Sequence, residues 1–252
     1  MLAFFRIILI TFALVVICIF SCVFCLFRPF HKNNAHLTCR YLGKVTKLIG
    51  IEVELRIPDS VKHLESVVYI CNHQNTWDMF TLAKAVRPNT VSVGKKSLIW
   101  IPFFGQMYWL TGNILIDRKN SSKAKNTIAQ TAHKINTDGL SVWLFPEGTR
   151  SNGKGILPFK TGAFRTAQQA DVAVVPICAS TTSHIKLNRW DNGKIIIEFL
   201  EPIQTHQKNV EDNETIKFMT QKAQQQITEK YNQLNLELQN LNVQPSDKNE
   251  TT

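Results

Sequence analysis

The chain has 252 residues, 44% hydrophobic and 19% charged, so it is long enough to bury a substantial core and too apolar for wholesale disorder. Its formal net charge of +10 points to an anionic partner, whether nucleic acid, a phosphorylated substrate or a lipid surface. Six cysteines, three of them inside one apolar run, exclude a secreted disulfide scaffold.

The charge is uneven. Residues 1–203 hold 24 basic and 12 acidic residues and residues 204–252 hold 5 and 7, so the balance divides as +12 and −2. Whatever attracts an anion lies before the last fifty residues.

Ile7 to Phe27 is a run of 21 residues without a charge, bracketed by Arg6 and Arg28. As a helix it measures about 31 Å, enough to cross the hydrocarbon core of a bilayer. A cleaved signal peptide would have a shorter apolar core followed by a small-x-small site, and none follows. Cys22-Val23-Phe24-Cys25 has CxxC spacing, but cysteines in apolar surroundings are inert rather than redox-active or metal-binding. Pro29 stops the helix. Leu37, Tyr41, Val45 and Leu48, with Leu42 and Ile49 beside them, then recur at helical spacing, while Arg40, Lys44 and Lys47 take other positions. This basic amphipathic helix suits the headgroup region of a bilayer; packing on a protein core has the same periodicity. Five Lys or Arg residues from Arg28 to Lys47 follow the apolar run, which places the remainder in the cytoplasm if the run spans. A re-entrant pair dipping into one leaflet gives the same sidedness. Residues 1–50 therefore read as a membrane attachment.

From residue 51 strands and helices alternate. Glu52–Ile57, Ser66–Cys71, Thr90–Val93, Asn113–Ile116, Leu140–Phe145, Val172–Ala179 and Lys194–Leu200 read as strands. Trp77–Val86, Ser122–Thr137 and Thr161–Ala170 read as helices, and an aromatic stretch runs from Trp100 to Trp109. This is an α/β domain with a mixed, largely parallel sheet, spanning 51–205. Within 206–241, Asn209 to Leu241 forms a polar helix with Ile216, Ala223, Ile227, Tyr231, Leu234 and Leu238 along one stripe, expected to pack on the domain; 242–252 reads as a solvated tail.

Two segments carry chemistry. His73 follows a buried strand and Asp78 lies five residues on. On a continuous helix the two would point about 140° apart, so they meet only if the chain turns between them. Asn75 or Thr76 as a helix cap puts Asp78 in the first turn, where the helix dipole favours a carboxylate. That brings imidazole and carboxylate together as a general base held in one tautomer. The second segment is Phe145-Pro146-Glu147-Gly148-Thr149-Arg150-Ser151, at a strand end. Glycine allows close backbone approach, and the Arg fork matches a phosphate; a plain turn with a surface ion pair is the ordinary alternative. No GxxxxGK[ST] or GxGxxG loop is present, and no Ser or Cys sits in a nucleophile elbow.

Taken together, Asn72-His73-x4-Asp78, Gly112 to Arg118, Phe145 to Ser151 and Val175-Pro176-Ile177 resemble, in order and spacing, the four motifs of the glycerolipid acyltransferases. The run from Val93-Gly94-Lys95-Lys96 through Ile101-Pro102-Phe103-Phe104-Gly105 is similar to that of the bacterial members that acylate lysophosphatidate. The resemblance covers nearly the whole chain. It implies direct transfer of an acyl chain from acyl-CoA or acyl-carrier protein to the sn-2 hydroxyl of lysophosphatidate, with His73 as base and Asp78 orienting it. It assigns Glu147, Gly148, Thr149 and Arg150 to the glycerol phosphate, with Arg118 and Lys95 (or Lys96) as further phosphate partners, and Val175, Pro176 and Ile177 to the acyl side. It implies no metal and no cofactor beyond the acyl donor, membrane lipids as partners, and the cytoplasmic face of a bacterial inner membrane as location. Asn75 and Leu115 stand where members often carry Ser and Phe, which leaves the motif I cap and the pocket shape open. The rival readings are a related lysophospholipid or glycerol-3-phosphate acyltransferase and a catalytically silent, basic membrane-binding protein. A nucleic-acid binder fits the charge, but there is no recognised nucleic-acid module.

Overall fold

All seven apolar runs become strands: β1 Glu52–Arg56, β2 Val68–Cys71, β3 Thr90–Lys95, β4 Ile114–Ile116, β5 Ser141–Leu144, β6 Val174–Ala179 and β7 Lys194–Phe199. The structure, a computed structural model, describes residues 1–117, 121–205 and 213–243. Its strands form one sheet in the order β1-β7-β6-β2-β5-β3-β4. Every neighbouring pair is parallel except β6 with β7, so β1 and β7 run against the other five. β2 and β6 are buried at every position, which is why they read as unbroken apolar runs.

The helices are α1 Leu2–Phe27, α2 Asn34–Lys44, α3 Thr46–Ile49, α4 Asp59–Lys62, α5 Asp78–Thr81, α6 Phe104–Leu110, α7 Ser121–Asp138, α8 Gly162–Ala170 and α9 Asn213–Val243. Strand alternation sorts the core into two layers. Val68, Ile70, Val142 and Val174 pack with Ile135 of α7, Phe164 of α8 and Ile216, Ile227 and Leu234 of α9. Tyr69, Cys71, Trp143, Val175 and Ile177 face the other way, towards Ile10, Leu42, Ile49 and Phe80. Arg56 binds both carboxylate oxygens of Glu237, tying α9 back to β1. Arg118 and residues 206–212 and 244–252, the last covering most of the expected tail, lie outside the described residues.

Two features of the first fifty residues differ from the expectation of a separate attachment. α1 is docked along one face from Arg6 to Cys25. Arg6, Ile10, Cys18, Ser21 and Cys25 are buried, and Ala13, Leu14 and Ile17 lean on the same core. Arg6, only 6% exposed, donates to the carbonyls of Leu187, Arg189 and Trp190 and sits over the Trp190 ring. At the other end Thr38 of α2 donates to Ser21, and α6 packs against α1. The opposite face, including Phe5, Ile8, Phe12, Val16, Ile19, Val23 and Leu26, is bare. A helix apolar all round shows no periodicity, so its protein-facing stripe was invisible in the sequence.

The expected amphipathic helix breaks at Val45 into α2 and α3. Its apolar residues Leu42, Val45 and Ile49 are buried in the domain core rather than offered to lipid, and Arg40, Lys44 and Lys47 remain exposed. Amphipathic periodicity could not tell these environments apart.

Candidate active site

β2, β5, β3 and β4 are consecutive parallel strands, so their carboxyl ends lie along one edge. In open α/β sheets this edge is where ligands bind. His73 follows β2, Phe145–Ser151 follows β5 and Lys95 ends β3. Arg118, two residues past β4, lies outside the described residues. Lys95 is exposed and ends β3, two strands from β2 across β5, about 10 Å away by strand spacing.

Past Cys71 the chain leaves the sheet through a polar loop. Asn72 is buried and exchanges two hydrogen bonds with Ala179, donating to its carbonyl and accepting from its N–H, both at 2.9 Å. Gln74 donates to Ser180 O and accepts from Thr182 N, and Asn75 donates to Thr182 Oγ1 at 2.7 Å. These three side chains splint the loop to the end of β6. Asn75 also accepts from Trp77 N, starting the turn that leads into α5.

The turn returns Asp78 to His73. Asp78 Oδ2 lies 2.7 Å from His73 Nδ1 and accepts from the backbone N–H groups of Gln74 at 2.6 Å and Asn75 at 3.2 Å. A carboxylate oxygen receiving these donors is an acceptor, so Nδ1 carries the imidazole proton and Nε2 holds the free lone pair. Nε2 makes no hydrogen bond among the described residues. The ring is stacked on Phe145, centroids 4.0 Å apart, which fixes its plane.

The second loop is bound to the first by backbone. Ser151 N donates to His73 O and Asn152 N to Gln74 O. Glu147 holds the join: one carboxylate oxygen accepts from His73 N at 2.6 Å and the other from Leu157 N at 3.0 Å. The side chain is 2% exposed, and burial raises its pKa, with the two N–H bonds opposing. Both oxygens are thus engaged by the protein itself. The structure gives Glu147 the part of a clamp between the loops, whereas the resemblance gave it the glycerol phosphate.

Thr149 and Arg150 are exposed, and Arg150 Nη1 only grazes Thr76 Oγ1 at 3.5 Å. Gly148 has φ +69°, and a Cβ there would lie 3.0 Å from Lys160 Nζ. The Lys160 side chain therefore lies across this glycine with an exposed ammonium that forms no ion pair among the described residues. Lys160 has no motif signature in the sequence; its one clue is a basic residue shortly after a strand-end loop rich in phosphate-binding types.

Beside Asp78 opens a cavity of about 170 Å³ between α2, α5, α6 and the sheet, lined chiefly by Leu42, Met79, Leu82, Met107, Trp143 and Phe145. Val175, Pro176 and Ile177 do not line it. They are buried in β6, where Pro176 and Ile177 pair with Ile70 and Cys71 of β2. They support the strand that delivers His73.

The arrangement brings together a partly exposed imidazole with a free Nε2, the exposed Arg150 and Lys160 on the neighbouring loop, and an apolar slot. Among the described residues no group of His, Cys, Asp and Glu could hold a metal ion. The acyltransferase family model matches residues 52–180. The 1-acyl-sn-glycerol-3-phosphate acyltransferase of Haemophilus influenzae is 50% identical over 204 residues, covering 81% of this chain and 85% of that one. The Escherichia coli protein of the same name is 48% identical over 208 residues, covering 82% and 85%. The crystal structure of the 1-acyl-sn-glycerophosphate acyltransferase PlsC from Thermotoga maritima superposes with a TM-score of 0.70 at 19% identity, covering 97% of this chain and 98% of that one, a likeness of fold.

Proposed function

The chain belongs to the acyltransferase family, and from that premise we propose that it transfers an acyl chain from a thioester to the sn-2 hydroxyl of 1-acyl-sn-glycerol-3-phosphate, giving phosphatidate. The observation that carries the chemistry is the Asp78–His73 pair, with Nδ1 held and Nε2 free. Nε2 takes the hydroxyl proton as the oxygen attacks the thioester carbonyl. Asp78 stabilises the imidazolium that forms. Collapse of the tetrahedral intermediate breaks the C–S bond, and the imidazolium returns the proton to the departing sulfur. Phosphatidate and a free thiol leave, and His73 is neutral again.

The donor is acyl-CoA or acyl-carrier protein, whose thioesters are chemically alike. The acceptor phosphate falls to Arg150, Lys160 and Lys95, with Thr149 as a hydroxyl donor and Arg118 as a further cation; the cavity beside Asp78 takes an acyl chain. The direct test gives the purified protein acyl-CoA or acyl-carrier protein with lysophosphatidate, and in parallel glycerol-3-phosphate and neutral lysophospholipids, and follows thiol release. Turnover with lysophosphatidate alone is expected; turnover only with another acceptor would overturn the substrate assignment. A charge-assisted hydrogen bond is worth about 1.5–3 kcal/mol, so Arg150→Ala and Lys160→Met should each raise the acceptor KM roughly 10-fold or more while leaving the donor KM nearly unchanged. Equal effects on both substrates would remove these residues from the phosphate site.

The bare apolar face of α1 supports membrane attachment. We place α1 in a single leaflet at the cytoplasmic face of the inner membrane. A span would put the ends of α1 on opposite sides of about 30 Å of hydrocarbon. Arg6 at one end is fixed to the loop at 187–190, and Ser21 near the other to α2, both parts of one domain. Epitope tags at the two termini should therefore be digested together in inverted vesicles and protected together in right-side-out ones. Digestion of one tag in each orientation would establish a span.

A further inference from the structure

The segment between β3 and α6 stands outside the machinery described so far. Lys96–Trp100 is a 3-10 turn with no buried residue. Beyond it, Ile101, Phe103 and, on α6, Trp109 are about half exposed, and Trp100 is 83% exposed. A loop of this composition would ordinarily fold its aromatic residues inward. Here the backbone is built to hold them out. Gly105 N donates to Ile101 O and Phe104 N to Pro102 O, both at 2.7 Å. Phe103 is held at φ +62° and ψ −47°, the centre of a γ-turn closed by the Phe104–Pro102 bond and a conformation that a bulky side chain rarely adopts. At Gly105 any Cβ would collide with the Ile99 carbonyl, so the turn presses directly on the start of α6. The result is a rigid knuckle with its apolar side chains directed outwards.

We infer that this knuckle, Trp100 to Phe103, is a second membrane-inserting element, entering the same leaflet as α1 at the mouth of the acyl cavity. Three observations select a bilayer as its occupant. The patch is continuous with the bare face of α1: Phe30, just past that helix, packs edge-on against Trp109 at 4.9 Å and donates its N–H to Leu110 O, and Leu26 and Phe27 beside it are exposed. Its margin is basic, with Lys95 and Lys96 exposed at its base and Lys32 beyond Phe30, as an anionic lipid surface requires. Exposed tryptophan bordered by lysine is also the composition of a membrane interface. The knuckle leads into α6, whose Phe104, Met107 and Tyr108 line the cavity next to Asp78. A lipid acyl chain leaving the bilayer here passes from the knuckle to that wall without crossing water. This route rests on the reading of the acceptor as a membrane lipid; insertion of the knuckle does not.

The test uses the full chain with vesicles of phosphatidylethanolamine and phosphatidylglycerol carrying brominated acyl chains, which quench tryptophan on contact. Trp100, Trp109 and Trp190 are the well-exposed tryptophans. Trp100→Phe should remove a substantial share of the quenching, roughly a third if the three insert alike. Unchanged quenching in that variant would overturn the proposal. So would a Trp100-dependent dimer seen by sedimentation without lipid, which would assign the patch to a second copy of the chain. Turnover gives an independent arm. Trp100→Ser should slow acylation of long-chain lysophosphatidate embedded in vesicles about 10-fold and leave a short-chain, water-soluble lysophosphatidate unaffected. Equal loss on both acceptors would point to misfolding or a catalytic part and overturn the route. If the unaltered protein acylates neither acceptor, the functional reading fails while the quenching result still decides insertion.

Discussion

His73→Ala should lower turnover of lysophosphatidate and acyl thioester by about 10²–10⁴-fold, the range a positioned general base supplies. Thermal stability should change little, because the partly exposed His73 ring makes one hydrogen bond and one stacking contact. Asp78→Asn tests the other half of the pair and carries a different signature. Asp78 Oδ2 gathers the imidazole N–H and two backbone N–H groups, so an amide in its place loses acceptor capacity where three donors converge. It should lower turnover nearly as much and also lower the melting temperature. The double variant should be hardly slower than His73→Ala alone, since the two residues act as one unit. Full turnover in His73→Ala would end the mechanism; additive losses would separate Asp78 from it.

The second large effect is expected at Glu147. Glutamine there keeps an oxygen for one of the two N–H groups, from His73 and Leu157, and turns its own NH2 against the other. A buried unsatisfied donor costs about 1–3 kcal/mol, and here the cost falls on the backbone of His73 or of Leu157. Turnover should fall about 10- to 100-fold with the acceptor KM little changed, the split expected of a positioning residue. A rise in acceptor KM at unchanged turnover would return Glu147 to the substrate. pH gives a separate readout. Burial raises the Glu147 pKa, so as pH falls the native chain takes up this proton before the unfolded chain does. The stability from that uptake is fully present below the unfolded carboxyl pKa of about 4.3 and is lost as pH rises through the higher folded value. Glu147→Gln should abolish this fall in stability above about pH 4, measured by denaturant unfolding.

Much of this was legible in the sequence. Strand patterns placed all seven strands, and the need for a turn between His73 and Asp78 anticipated the loop that joins them. What escaped depends on partners far away in sequence. Glu147 has the chemistry of a phosphate-loop neighbour in any reading by residue type; only the N–H groups of residues 73 and 157 reveal it as a clamp. Val175 to Ile177 read as part of the acyl side, yet strand register buries them beside β2. Lys160 acquires meaning only from the glycine it lies across. The stretch from Trp100 to Trp109 was evident as aromatic, but composition does not say whether such residues point in or out.

The grip of the loop at 187–190 on Arg6 spans 181 to 184 residues of sequence, and this sets a timetable for biogenesis. α1 precedes its clasp in the chain, and the clasp is made only after β6 is complete. Until then the Arg6 end of the stripe has no protein to lie on, while α2 and α6 can already meet its other end, and a lipid leaflet can shelter the open part until the loop arrives. Closing the clasp is then a late act of folding. Removing Leu2–Phe27 to obtain a soluble enzyme would not merely free the domain from lipid; it would strip a wall from its core.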